Sequence, residues 1–245
     1  MKALVFAAGL GTRLKPFTLE HPKALVPVGG VPMLGRVITK LRDCGVTEVV
    51  VNVHHFAEQI IEYLNANDFG ITIHISDERD ELLDTGGGVL KAQQWLDGGE
   101  PFIVHNADIL TDVDVVDMYN THIASGADAT LLCADRQTAR YFYFDADTKR
   151  LRGWGNIQTG ETRPQGFVAT SEMLRLAFNG VHIMSPKIFE VLKSYTTANK
   201  FSISPFYIDN LNNIVINAYT PSTDYLWLDV GKPETLELAN KLIKK

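Results

Sequence analysis

The sequence predicts an α/β fold: a doubly wound, mostly parallel sheet with a β-rich insertion in its second half. Three observations predict it. Val46–Val53 (VTEVVVNV) and Pro101–His105 (PFIVH) are short β-branched and apolar runs, the composition of strands buried on both faces. Helical stripes lie between such runs over the first ~130 residues, which implies crossover connections and a parallel sheet. From Arg140 to Phe178 the helix signals fade and aromatics and glycines accumulate, as in RYFYFDADTKRLRGWGN.

The elements follow in order. MKALVF reads as a first strand running into a glycine turn. It is too short for a signal-peptide core and has no cleavage-type ending, so a cytoplasmic protein is expected. Met33, Leu34, Val37, Ile38 and Leu41 fall on one helical face. Ile60, Ile61 and Leu64 form a second apolar cluster, and Val116, Tyr119 and Ile123 a third stripe. The β-rich excursion reads as Tyr141–Phe144, a turn at Asp145–Lys149, then Leu151–Trp154. Helix signal returns at Ser185–Ser194. A last helix starts at Pro233, which suits a first turn, with Leu236, Ala239 and Ile243 on its apolar face.

Bulk properties exclude several classes. The 245 residues suffice for one well-filled α/β domain, and no repeat or linker-like segment divides them. Hydrophobic residues at 45% and charged residues at 21% argue against disorder. No apolar run reaches the ~18 residues that span a bilayer. The net charge of −6 argues against a nucleic-acid partner and makes local clusters of cations more informative than their sum. Cys44 and Cys133 are far apart in apolar surroundings and read as small buried hydrophobes rather than a disulfide or zinc pair. The seven histidines are scattered, His54 and His55 included, and structural or loop roles are expected for them.

The strongest local feature is Ala7-Ala8-Gly9-Leu10-Gly11-Thr12-Arg13, directly after the first strand. Small residues let successive backbone N–H groups approach a phosphate. A dinucleotide fingerprint needs a third glycine where GLGTRL has Leu14, and the Gly-Lys-Ser/Thr of a P-loop is absent. The segment after the glycines is cationic: Arg13, Lys15, then Lys23 in HPKALVP. These charges suit a triphosphate whose outer phosphates must be neutralised as they leave. A tight strand–helix turn with solvated cations is the competing account. Asp108 follows the strand run Phe102–His105 and Asp229 the run Tyr225–Leu228, so both are expected just past a strand end, where open α/β sheets place ligands. Asp112 and Asp114 read instead as caps of the helix after ILT.

The stretch AAGLGTRLKPFT…HPKALVPVGGVPML resembles the signature of the sugar-phosphate nucleotidylyltransferases. The resemblance continues through LLDTGGGVLKA, HNADILTD, FNGVHIMSP and WLDVGKPETLELA, nearly the whole chain. The triple glycine and WLDVG look most like the N-acetylmuramate-1-phosphate uridylyltransferases of cell-wall recycling, with heptose- and mannose-1-phosphate guanylyltransferases close behind. The resemblance implies the Rossmann-like nucleotidyltransferase fold, with about 1–135 as nucleotide-binding core and about 136–245 as sugar-binding and closing part. It implies an NTP, expected to be UTP, and a sugar 1-phosphate, expected to be N-acetylmuramate 1-phosphate, as substrates. It places Mg²⁺ on Asp108 and Asp229, a sufficient protein contribution for an ion that keeps waters and phosphate oxygens.

Catalytic roles are expected for Arg13, on the departing pyrophosphate, and Lys23, on the α-phosphate and the sugar phosphate. Nucleotide contacts are expected from Ala8, Gly9, Gly11 and Thr12, and from Gly86 and Gly87 at the base edge. Asn106, Asn179 and Gly180 are expected at the sugar, with Trp154, Arg152 and Tyr143 as further lining. Two departures stand out. Ala107 replaces the usual glycine before the metal aspartate, which matters if the position needs φ > 0. Gly155-Asn156-Ile157 stands where many relatives carry Glu-Lys-Pro. Both motivate the alternative of a binding relative without turnover, beside that of a guanylyltransferase.

Overall fold

The computed structural model describes residues 1–243. The first half runs β1 (Lys2–Phe6), a small ribbon β2 (Pro27–Val28) and β3 (Val31–Pro32), α1 (Met33–Asp43), β4 (Glu48–Val53), α2 (Ala57–Ala66) and β5 (Thr72–Asp77). It continues through α3 (Asp84–Lys91), α4 (Gln93–Leu96), β6 (Phe102–Asn106), β7 (Ile109–Thr111), α5 (Val115–Ser125) and β8 (Ala129–Ala134). The second half adds β9 (Arg140–Phe144), β10 (Leu151–Asn156), β11 (Thr162–Arg163), β12 (Leu174–Met184), α6 (Ile188–Tyr195) and α7 (Ile203–Asp209). It ends with β13 (Ile216–Tyr219), β14 (Trp227–Asp229) and α8 (Pro233–Ile243).

The central sheet is parallel through β5, β4, β1 and β6, then antiparallel from β6 to β12. Its strands alternate between two apolar layers, as a pleat requires. Val49, Val51 and Val53 of β4 face the layer that holds Ile38, Ile60 and Met118, while Val50 faces the layer that holds Val89, Leu96 and Phe189. Helices α1, α2, α5 and α8 therefore cover one face and α3, α4, α6 and α7 the other, which is the doubly wound arrangement. Among the described residues no helix is long and apolar enough to cross a membrane.

Most stripes lie where periodicity puts them. Met33, Leu34, Val37, Ile38 and Leu41 are buried. The α5 stripe is corrected: Val116 and Ile123 are 39% and 52% exposed, and the buried face is Val115, Met118, Tyr119 and His122. His122 is a polar residue inside that face because Thr130 Oγ1 at 2.8 Å and Ser185 Oγ at 3.0 Å satisfy both ring nitrogens. Asp114 caps α5, accepting from the Asp117 N–H, whereas Asp112 accepts from the Leu226 N–H at 2.6 Å and ties down the approach to β14.

The β-rich excursion is joined to the main sheet by β12. The first residues of this long strand pair β9, and its last residues pair β6 and β8. Its register against β8 shifts between Phe178 and His182, at Gly180 with φ +75°. A Cβ on Gly180 would also lie 2.8 Å from Asn106 Nδ2. Glycine thus lets one strand bend, serve two sheets and pass close to β6.

Candidate active site

A cleft of about 480 Å³ opens at the C-terminal edge of the parallel strands. Ala8, Gly9, Gly11, Thr12, Arg13, Lys23, Asn106 and Asp108 all line it, so most of the expected site is brought together. Lys15 is exposed outside it. Gly11 has φ +64°, and a Cβ there would lie 2.8 Å from both Lys23 Cβ and Thr18 Cγ2. The glycine therefore lets the loop turn tightly against the segment that carries Lys23. Gly9 meets nothing within 4 Å and leaves its side of the loop open to the cleft.

Asp108 and Asp229 are 121 positions apart (229 − 108), and a two-stranded ribbon joins their regions. β14 pairs antiparallel with β7, with Asp229 opposite Ile109, and the Val230 N–H donates to the Asp108 carbonyl at 2.9 Å. Asp229 is thus the last residue of a ribbon strand outside the central sheet. The Lys23 ammonium, only 12% exposed, pairs with the Asp108 carboxylate and lies 4.0 Å from Asp229 Oδ1. Arg13 Nη2 lies 3.4 Å from Asp229 Oδ2. Two carboxylates thus converge on one cation, with a second cation at the rim. Gly231 permits this: a Cβ there would come within 3 Å of Lys23 Nζ, Asp229 Oδ1 and Arg13 Nη2. The described residues contain no group of three or more metal-ligating side chains. Two carboxylates beside a phosphate-sized loop fit one hard divalent cation whose remaining positions go to phosphate oxygens and water.

Ala107 avoids the left-handed region, is buried, and donates its N–H to the Phe6 carbonyl at 3.1 Å. The methyl is accommodated without backbone strain.

Four residues expected as contacts do not line this cleft. Gly86 and Gly87 do not line the cleft. Their N–H groups both donate to the Phe201 carbonyl, at 2.8 and 3.2 Å. Added Cβ atoms would sit 2.3 Å from the Phe201 ring and 2.2 Å from the Asn199 carbonyl, so these glycines let α3 pack against segment 199–203. Asn179 is 1% exposed and fully engaged: its Oδ1 accepts from Arg136 Nε at 2.7 Å and its Nδ2 donates to the Tyr225 hydroxyl at 2.9 Å. It positions other side chains. Gly180 makes the strand bend described above. Of the expected further lining, Tyr143 packs on Phe167, and Arg152 pairs with Asp145 at 3.1 Å.

Sequence reasoning missed Asn52, Glu78 and Arg136. Asn52 Oδ1 accepts from Ala7 N at 2.7 Å and Ala8 N at 3.3 Å, which fixes the start of the glycine loop. Its Nδ2 donates to Glu78 Oε1 at 2.8 Å, and Glu78 Oε2 accepts from the Leu83 N–H at 3.1 Å. Glu78 is 1% exposed yet lines the cleft, and burial raises its carboxyl above the usual carboxylate range. A polar residue inside VVVNV and an acid directly after β5 were the available signals. Across the strand ends the order is β6, β1, β4, β5, so Asp108 and Glu78 terminate opposite ends of a row of three strand spacings, about 14 Å.

The comparisons with known proteins agree with this geometry. The family model described as nucleotidyl transferase matches residues 2–245. The chain is 30% identical to an N-acetylmuramate alpha-1-phosphate uridylyltransferase of Neisseria meningitidis, over 99% of this chain and 98% of that one. It is 28% identical to a "Probable mannose-1-phosphate guanylyltransferase 2" of Oryza sativa, covering 95% of this chain but only 62% of that longer protein. Among solved structures, HddC from Yersinia pseudotuberculosis superposes with a TM-score of 0.76 over 99% of both chains at 24% identity, which supports the fold. With the family model spanning the glycine loop, both aspartates and the last helix, this chain belongs to the nucleotidyl transferase family.

Proposed function

We propose that the chain transfers a nucleotidyl group from an NTP to a sugar 1-phosphate, giving an NDP-sugar and pyrophosphate. The observation that carries this reading is Lys23 held between Asp108 and Asp229 beside an open glycine loop. Residues about 1–135 hold the nucleotide and about 136–245 the sugar. The relatives support UTP and N-acetylmuramate 1-phosphate as the pair, and GTP with mannose 1-phosphate as the second reading, to which a heptose 1-phosphate is a further alternative. We place the reaction in the cytoplasm, where an NTP is available.

A phosphomonoester with a second pKa of about 6 is already ionised at neutral pH and needs no general base. Its oxygen attacks the α-phosphorus; the new P–O bond forms as the bond to the β-phosphate oxygen breaks, and pyrophosphate leaves with the electron pair. Lys23 holds the α-phosphate and the incoming phosphate together, and Arg13 neutralises the pyrophosphate. Catalysis is positioning and electrostatics. Mg²⁺ held by Asp108 and Asp229 would add positive charge at the phosphate oxygens around the reacting phosphorus.

With phosphates at the Asp108 end, a nucleotide laid across the strand ends brings its base toward Glu78. Ionised, Glu78 only accepts hydrogen bonds. It pairs with the imino N–H of uracil or guanine and opposes the bare ring nitrogen of cytosine or adenine. A panel of NTPs and sugar 1-phosphates, scored by Mg²⁺-dependent pyrophosphate release, tests the proposal. Tight NTP binding with no product under any pairing would favour a binding protein without turnover.

A further inference from the structure

A second cavity, about 530 Å³, opens between the β9–β10–β11 sheet and α7. Its charge is unusual. Arg136, Arg140 and Arg163 line it, against a single carboxylate, Glu161, whose partner is Arg163 at 2.8 Å. Among the described residues Arg136 and Arg140 have no carboxylate within 4.0 Å.

Strand register explains the convergence. Asn156 lies opposite Arg140, and Trp154 lies opposite both Phe142 and Arg163. Residues two apart on a strand share a face, so Arg140, Asn156, Trp154 and Arg163 all project from one face of the three-stranded sheet. The Arg163 guanidinium sits 5.9 Å from the Trp154 ring centroid. Arg136 approaches from the other side. Its Nε donates to Asn179, its Nη2 donates to the Phe178 carbonyl at 2.9 Å, and its guanidinium lies 4.2 Å over Trp227. A half-buried guanidinium without a counterion is a standing desolvation cost that a bound anion would offset.

Arg136 packs over Trp227, two residues before Asp229 on β14, so it marks the end of the cavity nearest Asp229. Arg140 and Arg163 belong to the hairpin strands, away from that end. A sugar whose 1-phosphate points toward Asp229 would bring its far side to them. We infer that this cavity holds the sugar and that Arg140 and Arg163 select one carrying a carboxylate. The inference rests on the proposed transfer to a sugar 1-phosphate. The guanidinium fork matches a carboxylate, and Trp154 offers an apolar face to a sugar ring. Asn156, which also lines the cavity, presents no charge to repel the acid.

The test compares N-acetylmuramate 1-phosphate with N-acetylglucosamine 1-phosphate, the same amino sugar without the 3-O-lactyl ether that carries the carboxylate. The wild type, Arg140→Gln, and a Glu161→Gln/Arg163→Gln double variant that leaves no stranded carboxylate are compared, each checked for an unchanged circular dichroism spectrum. Pyrophosphate release gives kcat and KM, and calorimetry gives sugar-phosphate binding. The wild type is expected to prefer the acidic sugar. Each variant should raise KM for it about tenfold to hundredfold, leaving kcat and the neutral sugar within about threefold. Equal losses on both sugars, or a wild type indifferent to the carboxylate, would overturn the inference. If neither sugar releases pyrophosphate, the transfer reading fails by itself. The calorimetric preference for the acidic sugar, and its loss in the variants, still decides this one.

Discussion

The two cavities are built by opposite uses of β-structure. The first cleft takes its groups from the ends of parallel strands, where each strand hands the chain to a loop or helix: Gly9 and Gly11 after β1, Glu78 after β5, Asp108 after β6. The second cavity takes its groups from the face of an antiparallel sheet, where Arg140, Trp154, Asn156 and Arg163 project by alternation and register. Strand ends support close backbone approach and converging charges, which suits phosphates. A sheet face supports spaced side chains, which suits a bulky ligand with several substituents.

The sharpest break of this comparison falls on the strand-end side. Lys23→Ala or Asp108→Ala should each remove about 3–4 kcal/mol of transition-state stabilisation, or about 10²–10³ in rate, with the fold intact. Pyrophosphate release equal to wild type would show that the converging charges do not serve the reaction.

Glu78 is next. Its carboxyl is raised by burial, so the folded protein takes up its proton more readily than the unfolded chain. The stabilisation linked to that proton is present at low pH and lost as pH rises through the raised pKa. Binding of an imino base runs the other way and weakens as pH falls through the same value. Glu78→Gln should flatten that pH dependence of the NTP KM and reduce discrimination between UTP and CTP about tenfold to hundredfold. Unchanged discrimination would place the base elsewhere.

Gly180→Ala probes the strand that joins the two regions. A side chain at φ +75° that also meets Asn106 should destabilise the protein by about 1–3 kcal/mol in a urea melt. The smallest effect is expected from Arg152→Ala. Its exposed pair with Asp145 is worth about 0–1 kcal/mol, and neither substrate's KM should move. A sugar KM that rises for Arg152→Ala but not for Arg140→Gln would reverse the assignment of the hairpin faces.

Much of the first region was legible. The stripe on α1, the glycine loop, Arg13 and Lys23 are local patterns, and the structure buries the first and gathers the others at one cleft, leaving Lys15 outside. Counting apolar residues sets the α5 face one residue out of register, because it discounts a histidine whose partners, Thr130 and Ser185, are remote in sequence. Gly86 and Gly87 read as ligand contacts because small residues signal close approach without naming what approaches. Here it is segment 199–203.

By itself the sequence determined the alternation of elements, the glycine loop after the first strand and the residue types available for charge chemistry, since these depend on neighbours within a few positions. Only the tertiary structure decided that Asp229 meets Asp108, that Glu78 faces the same cleft as Asp108, and that Arg136 and Arg140 enter one cavity. Those are contacts between residues far apart in the chain, set by ribbon pairing, strand order and sheet register, and no local pattern encodes them.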